Sequence, residues 1–147
     1  MNGKLYNNFG ICSLSIAFTL QHLDRLSLSR VLLIMPIIAH EELLQYMARK
    51  STNFNSIEQI IVRKPECFSN FNARFYDGLT VSLNAIQFLS EMAFIKLEGR
   101  EIISTEAINY EESMGKRAKK IFNASSHIAD FVSSDTVNLY TNLRIEL

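Results

Sequence analysis

The chain has 147 residues, of which 48% are hydrophobic, and its fifteen basic and fifteen acidic side chains cancel. This hydrophobic share excludes a disordered tail, and the length suits one domain with a sizeable core. A net charge of zero argues against a protein whose whole surface follows a phosphate backbone, although it allows a local basic patch.

The cysteines and the apolar runs bear on the compartment of the chain. Cys12 and Cys67 are the only cysteines and form no CxxC pair, so each is expected to act as a small buried hydrophobe. No cleavage site follows the N-terminal apolar run. Residues 31–39, the longest such run, fall far short of the roughly 20 residues that span a bilayer. We therefore expect a cytoplasmic protein that makes no membrane contact.

Three helices are predicted at the N-terminal end. Residues 1–8 are polar and are expected to be extended or loose, whereas residues 9–26 show the spacing of an amphipathic helix. Residues 28–39 predict a helix buried nearly all round, which Pro36 should kink or end because it lacks a backbone donor. A more polar helix is predicted for residues 40–50.

The middle of the chain, residues 56–106, has the order of a winged helix-turn-helix. Ser56 is predicted to cap a short helix, and a second helix is predicted over residues 66–77. A third helix then leads into a β-hairpin centred on Gly99, where glycine supplies the positive φ of a short turn. The predicted apolar face of this third helix consists of Leu79, Leu83, Ile86, Leu89 and Ala93.

The C-terminal part is again predicted to be helical, with a long helix over residues 111–132 and a shorter one capped at Ser134-Asp135. The tail, residues 144–147, has the alternation of a strand. The predicted fold class is therefore mostly α with a small β-hairpin, a winged helix-turn-helix core with additional N- and C-terminal helices. We expect a single domain over residues 1–147, made of N-terminal helices (9–50), a winged-helix part (56–106) and C-terminal helices (111–143).

The sequence carries no motif of a catalytic or cofactor site. Glycine-rich phosphate loops, nucleophile elbows and HExxH metal motifs are all absent. His40, Glu41 and Glu42 resemble metal ligands, but adjacent residues on a helix point about 100° apart and cannot all hold one ion. A solvated helix start is the better interpretation. We therefore predict that the protein is not an enzyme and that it uses no cofactor, metal or small-molecule ligand.

One dense basic patch is formed by Lys116, Arg117, Lys119 and Lys120 on the predicted C-terminal helix. Arg100, in the predicted wing, adds a further positive charge. These residues are candidates for contact with DNA or an acidic partner, and the alternative is an ordinary solvated helix face. The predicted recognition helix contains no Arg or Lys, so we do not expect it to read base sequence.

Four aromatic residues are candidates for a partner interface: Tyr6, Phe9, Tyr46 and Phe54. Exposed aromatic side chains anchor many protein–protein contacts. The alternative for each is packing in the core.

Several sequence blocks, in this order, resemble the middle component of prokaryotic three-component ABC-ATPase systems, the group that includes Lamassu-type antiphage defence. The blocks are Tyr6-Asn7-Asn8-Phe9-Gly10, the apolar residues 32–40 ending in His40, Asn72-Ala73-Arg74-Phe75, Asn84-Ala85-Ile86-Gln87-Phe88-Leu89, and a C-terminal helix with Arg117, Lys119, Ala124 and Ala129 that precedes Leu143-Arg144-Ile145.

The resemblance implies an accessory subunit without enzymatic activity, which bridges an SMC-like ABC ATPase and a nuclease-type effector. Such a subunit helps to hold the effector inactive until foreign DNA is sensed. From the predicted fold and basic patch alone, the alternative is a DNA-binding winged-helix transcriptional regulator.

Overall fold

The computed structural model describes residues 2–147, including all side chains except those of residues 2–7 and 136–138. The described chain is mostly helical, with one small antiparallel sheet. Its elements are, in order, α1 (Asn2–Leu20), β1 (Arg25–Ser27), α2 (Leu28–Val31), α3 (Ile34–Ile38), α4 (Glu41–Ala48), α5 (Ile57–Arg63), a 3₁₀ turn (Pro65–Cys67), α6 (Phe71–Asp77), α7 (Leu79–Glu91), β2 (Ile95–Glu98), β3 (Glu101–Ser104), a second 3₁₀ turn (Glu112–Met114), α8 (Lys116–Val132) and α9 (Thr136–Asn142).

The core is built around α1, which packs against both α7 and α8, while α8 also packs along α4. Phe18 of α1, Met47 of α4 and Phe131 of α8 are all completely buried. The serines of α1 are accommodated in this apolar setting by bonds within the helix. Ser15 Oγ, for example, donates to the carbonyl oxygen of Ile11 at 2.6 Å, which satisfies the buried hydroxyl.

The predicted hairpin is confirmed, and a third strand joins it. β2 and β3 pair antiparallel with Glu98 opposite Glu101, so Gly99 and Arg100 form the turn, and Gly99 has a φ of +64°. The additional strand is β1, which pairs with β3 and places Leu26 opposite Ile102 in the buried face. The sheet order is therefore β1-β3-β2.

The N-terminal helix boundaries differ from the predicted ones. α1 begins at Asn2, so residues 2–8 are helical rather than extended. The single helix predicted over residues 28–39 is divided into α2 and α3. Pro36 does not end this segment, because it lies in the first turn of α3, where a backbone donor has no partner within the helix.

Later boundaries differ in a similar way. The helix predicted over residues 66–77 is a 3₁₀ turn followed by α6, and Gly115 separates a second 3₁₀ turn from α8. The tail at residues 144–147 forms no strand. Leu83 is 47% exposed, so it does not belong to the buried face of α7 as predicted.

Within residues 2–147 no single helix is both long and apolar enough to cross a membrane. The segments Leu28–Ile38 and Glu41–Ala48 reach that length and hydropathy only together, and they are bent by 105° relative to each other.

Candidate functional site

The basic patch lies where α8 begins. Lys116, Arg117 and Lys119 are exposed, and Lys120 is half-buried. Gly115, with a φ of +98°, is the N-cap residue, so no side chain caps the free N–H groups, and the first turn has no acidic residue. The start of a helix carries a partial positive charge, which adds to the positive charge of Lys116 and Arg117. An anion bound at this position would be stabilised by both.

Three of these cations also border a cleft between α8 and the corner of α3 and α4. The cleft has a volume of about 460 Å³. Among the described side chains, none of the four cations of the patch makes an ion pair within 4.0 Å. The four cations therefore form no direct ion pair within this part of the chain, and Glu41 is the acidic residue among those that line the cleft. The cleft is lined by Ile38, Ala39, Glu41, Leu44, Lys116, Arg117 and Lys120.

Arg100 is exposed but does not line the cleft of the basic patch. It occupies the second position of the hairpin turn and borders a separate, largely apolar groove with Leu28, Tyr76 and Tyr140. The carbonyl oxygen of Arg100 accepts from the N–H of Leu28 at 2.8 Å, which ties the turn to α2. Arg100 therefore belongs to another surface than the one formed by the four cations of α8.

The predicted interface aromatics whose side chains are described pack against different neighbours. The side chain of Tyr6 lies outside the described residues. Phe9 is half-buried, with its ring edge-on to Phe88 at 5.4 Å between centroids. Tyr46 is half-buried beneath Lys64, whose Nζ is 5.7 Å from the ring centroid. Phe54 is also half-buried and lies 6.0 Å from the ring of His127, so the three described aromatics have three different surroundings.

Sequence reasoning missed a group of exposed apolar side chains on α7 and β2. Leu83, Phe88 and Met92 are exposed along α7 and at its end, and Leu97 is exposed on the outer strand β2. Leu83 fits the apolar helical spacing in the sequence, so only the position of α1 against α7 reveals that it faces outward. Phe88 and Met92 are four residues apart, a spacing that places both on one face of a helix. This spacing is the sequence signal that could have revealed the exposed apolar surface.

A mixed cluster of side chains lies near the start of α4. Glu42, Glu66 and Cys67 each place one possible ligand atom within 4.8 Å of those of the other two. The side chain of His40 caps α4, because its Nδ1 accepts from the N–H of Leu43 at 3.1 Å. Burial lowers the pKa of His40, and the nearby charge of Arg74 lowers it further.

The sequence comparisons identify the family of this chain. Residues 6–147 match the family model described as ABC-three component (ABC-3C) system Middle Component 3. The chain belongs to this family of ABC-3C middle components. Comparison with curated proteins and with solved structures gave no match.

A middle component is an accessory subunit of a system with several components, and its partners are the other components of that system. The predicted membership of a three-component ABC-ATPase system is thus confirmed at this level. In this middle component, the unpaired cations of α8 and the exposed apolar residues of α7 and β2 are surfaces suited to contact with other molecules.

Proposed function

We propose that this middle component is a non-catalytic adaptor that bridges an SMC-like ABC ATPase and a nuclease-type effector in a cytoplasmic, Lamassu-type antiphage complex. In this proposal it helps to keep the effector inactive until the complex meets foreign DNA. The observation that carries the proposal is the family match over residues 6–147, which makes the chain an accessory subunit of an ABC-ATPase system.

The chemistry of the two thiols supports a role without catalysis. A catalytic cysteine needs a lowered pKa, because the thiolate is the nucleophile. Burial instead raises the pKa of Cys12 to about 11, and burial also raises that of Cys67, with the charges of Glu42 and Glu66 acting in the same direction. Both thiols are thus protonated near neutral pH, so neither is prepared to act as a nucleophile.

The order of elements supports a winged helix as the basis of the adaptor. A helix (α1) and a short strand (β1) precede the remaining helices, and the β2–β3 hairpin follows α7 directly, with β1 beside β3. In such a module α7 occupies the position of a recognition helix. Its exposed positions include Asn84, Gln87 and Glu91, and Gln87 donates to Glu91 at 3.2 Å. A neutral to acidic surface of this kind favours protein contact over base readout.

The test is to purify the tagged chain after expression with its neighbouring genes and to identify the proteins that accompany it. We expect a long coiled-coil ATPase and an effector in stoichiometric amounts. When the tag is placed on the ATPase instead, loss of effector recovery on deletion of this chain supports bridging. Recovery of the ATPase and effector together without it contradicts the bridging role.

A second function, direct contact with the DNA backbone, is favoured by the unpaired cations at the start of α8. If Lys116 and Arg117 contact phosphates, changing both to Ser lowers the slope of log affinity against log salt by roughly 0.9 for each lost phosphate contact. Arg49 and Lys50, an exposed neighbouring pair at the end of α4, provide a control of matched composition. Equal slopes for both double variants would argue against DNA contact by this patch.

A further inference from the structure

We propose that Glu42, Glu66 and Cys67 form a binding site for a divalent ion of the zinc class. The three residues come from two separate elements, yet their ligand atoms lie within 4.8 Å of one another. This site does not depend on the proposed function, because it rests on the local geometry of this chain alone.

The backbone around Cys67 is firmly held. The 3₁₀ turn begins with Pro65, and the N–H groups of Cys67 and Phe68 donate to the carbonyl oxygens of Lys64 and Pro65 at 3.0 and 3.1 Å. Arg74 donates from Nη2 to the carbonyl oxygen of Cys67 at 2.7 Å. The backbone that carries the sulfur is therefore held in place before any ion arrives.

The two carboxylates supply the adjustable part of the site. Glu42 is the second residue of α4, and Glu66 immediately precedes Cys67 in the 3₁₀ turn. Both glutamates are exposed. Zinc binds thiolate sulfur at about 2.3 Å and carboxylate oxygen at about 2.0–2.2 Å, so its tetrahedral ligand atoms are separated by roughly 3.5 Å. Rotation of the exposed glutamates is sufficient for the approach of roughly 1 Å that this requires.

The thiol of Cys67 is the observation that points to a ligand. Its residue is 0% exposed, and its sulfur makes no hydrogen bond among the described residues. It nevertheless faces two carboxylates, whose negative charges oppose its ionisation. A divalent cation removes this conflict, because it attracts both carboxylates and replaces the thiol proton. The bond formed is Zn–S, and the thiol proton is released to solvent.

The other charges around the cluster leave the three ligands available. The cations that oppose the rise in the pKa of Cys67 are Lys64 and Arg74. Arg74 uses its Nε and Nη2 for carbonyl oxygens, and neither cation makes an ion pair with Glu42 or Glu66 within 4.0 Å. His40 uses Nδ1 as the cap of α4, so we do not count it among the ligands.

The donor set selects the class of ion. One thiolate and two carboxylates match the sulfur and oxygen ligands of zinc, whereas magnesium and calcium prefer oxygen alone. Three protein ligands leave the fourth tetrahedral position for water or for a side chain of a bound partner. Since Cys67 must lose its proton, the apparent affinity increases with pH.

The experiment is a titration of the full chain, first freed of metal with a chelator, with Co²⁺ as a spectroscopic substitute for zinc. We expect a thiolate-to-cobalt charge-transfer band that saturates at one equivalent and disappears when Zn²⁺ is added. Saturating Co²⁺ without such a band would overturn the proposal.

Variants identify the ligands. We expect Glu42→Gln and Glu66→Gln each to weaken Co²⁺ binding by at least about tenfold, the lower limit seen even for changes to residues that merely support ligands. Both residues are exposed, so these changes are compatible with folding. Cys67→Ser should abolish the charge-transfer band.

Two control variants should leave the affinity for Co²⁺ within about twofold: Glu41→Gln, on the adjacent exposed residue of α4, and Cys12→Ala. Equal weakening by Glu41→Gln, or a band retained in Cys67→Ser, would refute the assigned ligands.

Discussion

Arg74 donates from Nε to the carbonyl oxygen of Pro36 at 3.1 Å, although the two residues are 38 positions apart. The same guanidinium reaches the carbonyl oxygen of Cys67 and lies over the ring of Phe71, 5.2 Å from its centroid. One half-buried side chain thus joins α3, α6 and the 3₁₀ turn, and it satisfies two carbonyl groups that those elements leave without backbone donors.

Replacing Arg74 should therefore destabilise the fold. We expect Arg74→Met to lower the free energy of unfolding by about 2 kcal/mol, because two carbonyl groups lose a charged donor. Chemical denaturation followed by circular dichroism measures this change. The control is Arg63→Met, which removes one exposed bond to the carbonyl oxygen of Asn53 at 3.1 Å and should change stability by less than about 0.5 kcal/mol. Equal losses in both variants would contradict the linking role of Arg74.

The cap on α4 predicts a dependence of stability on pH. His40 accepts from Leu43 only in its neutral form, and burial lowers its pKa in the folded protein below the ordinary value of 6.5. The unfolded chain therefore binds a proton at higher pH than the folded chain does. The stability contributed by neutral His40 is fully present above pH 6.5 and is lost as the pH falls through the lowered pKa.

His40→Asn tests this dependence, because asparagine also caps helices but does not titrate. Urea denaturation at a series of pH values from about 7.5 to 5 should show a smaller loss of stability for the variant than for the original chain. His40→Ala should lose about 1 kcal/mol at neutral pH, where asparagine retains the cap. Parallel pH profiles for the original chain and His40→Asn would show that His40 does not carry the dependence.

Features determined by neighbouring residues were accessible from the sequence. Ser56 caps α5 as predicted, since its Oγ accepts from the N–H of Gln59 at 3.2 Å. The hairpin at Gly99 and the long apolar face of α8 were also predicted correctly. Both depend on turn chemistry or helical periodicity, which are properties of residues close together in sequence.

Features that depend on distant partners were not accessible. β1 has three residues, too few for a periodic signal, and it exists because Leu26 pairs opposite Ile102. His40, Glu41 and Glu42 are neighbours on one helix, and their side chains point too far apart to hold one ion. The cluster in the structure instead joins Glu42 to Glu66 and Cys67, which a sequence without contact information does not relate.

A buried hydroxyl in α1 offers a stabilising substitution. Thr19 is completely buried, and its Oγ1 finds no hydrogen-bond partner among the described residues. Replacement by valine exchanges an unsatisfied hydroxyl for a methyl group of similar size. We expect Thr19→Val to raise the free energy of unfolding by about 1 kcal/mol, measured by thermal and urea denaturation. Ser15→Ala removes a satisfied hydroxyl from the same helix and should not stabilise the chain. Destabilisation by Thr19→Val would mean that the hydroxyl is satisfied in solution.

The hydroxyl of Tyr140 predicts a loss of stability at high pH. It donates to the carbonyl oxygen of Ser29 and so ties α9 to α2, and burial raises its pKa from 10.0 to about 12. The unfolded chain thus loses this proton at lower pH than the folded chain. Its contribution is fully present below pH 10 and disappears as the pH rises through about 12.

The buried thiols also make the fold less stable at high pH, because the pKa of Cys12 is raised to about 11. Tyr140→Phe separates the contribution of the Tyr140 hydroxyl from that of the thiols. At neutral pH the variant should lose about 1 kcal/mol, the typical value of one hydrogen bond. Between about pH 10 and 12 its stability should fall less steeply than that of the original chain, which urea denaturation measures. Tyr110→Phe is the control, because the hydroxyl of Tyr110 makes no hydrogen bond among the described residues. If Tyr140→Phe follows the original profile throughout, the proton on Tyr140 is not linked to folding.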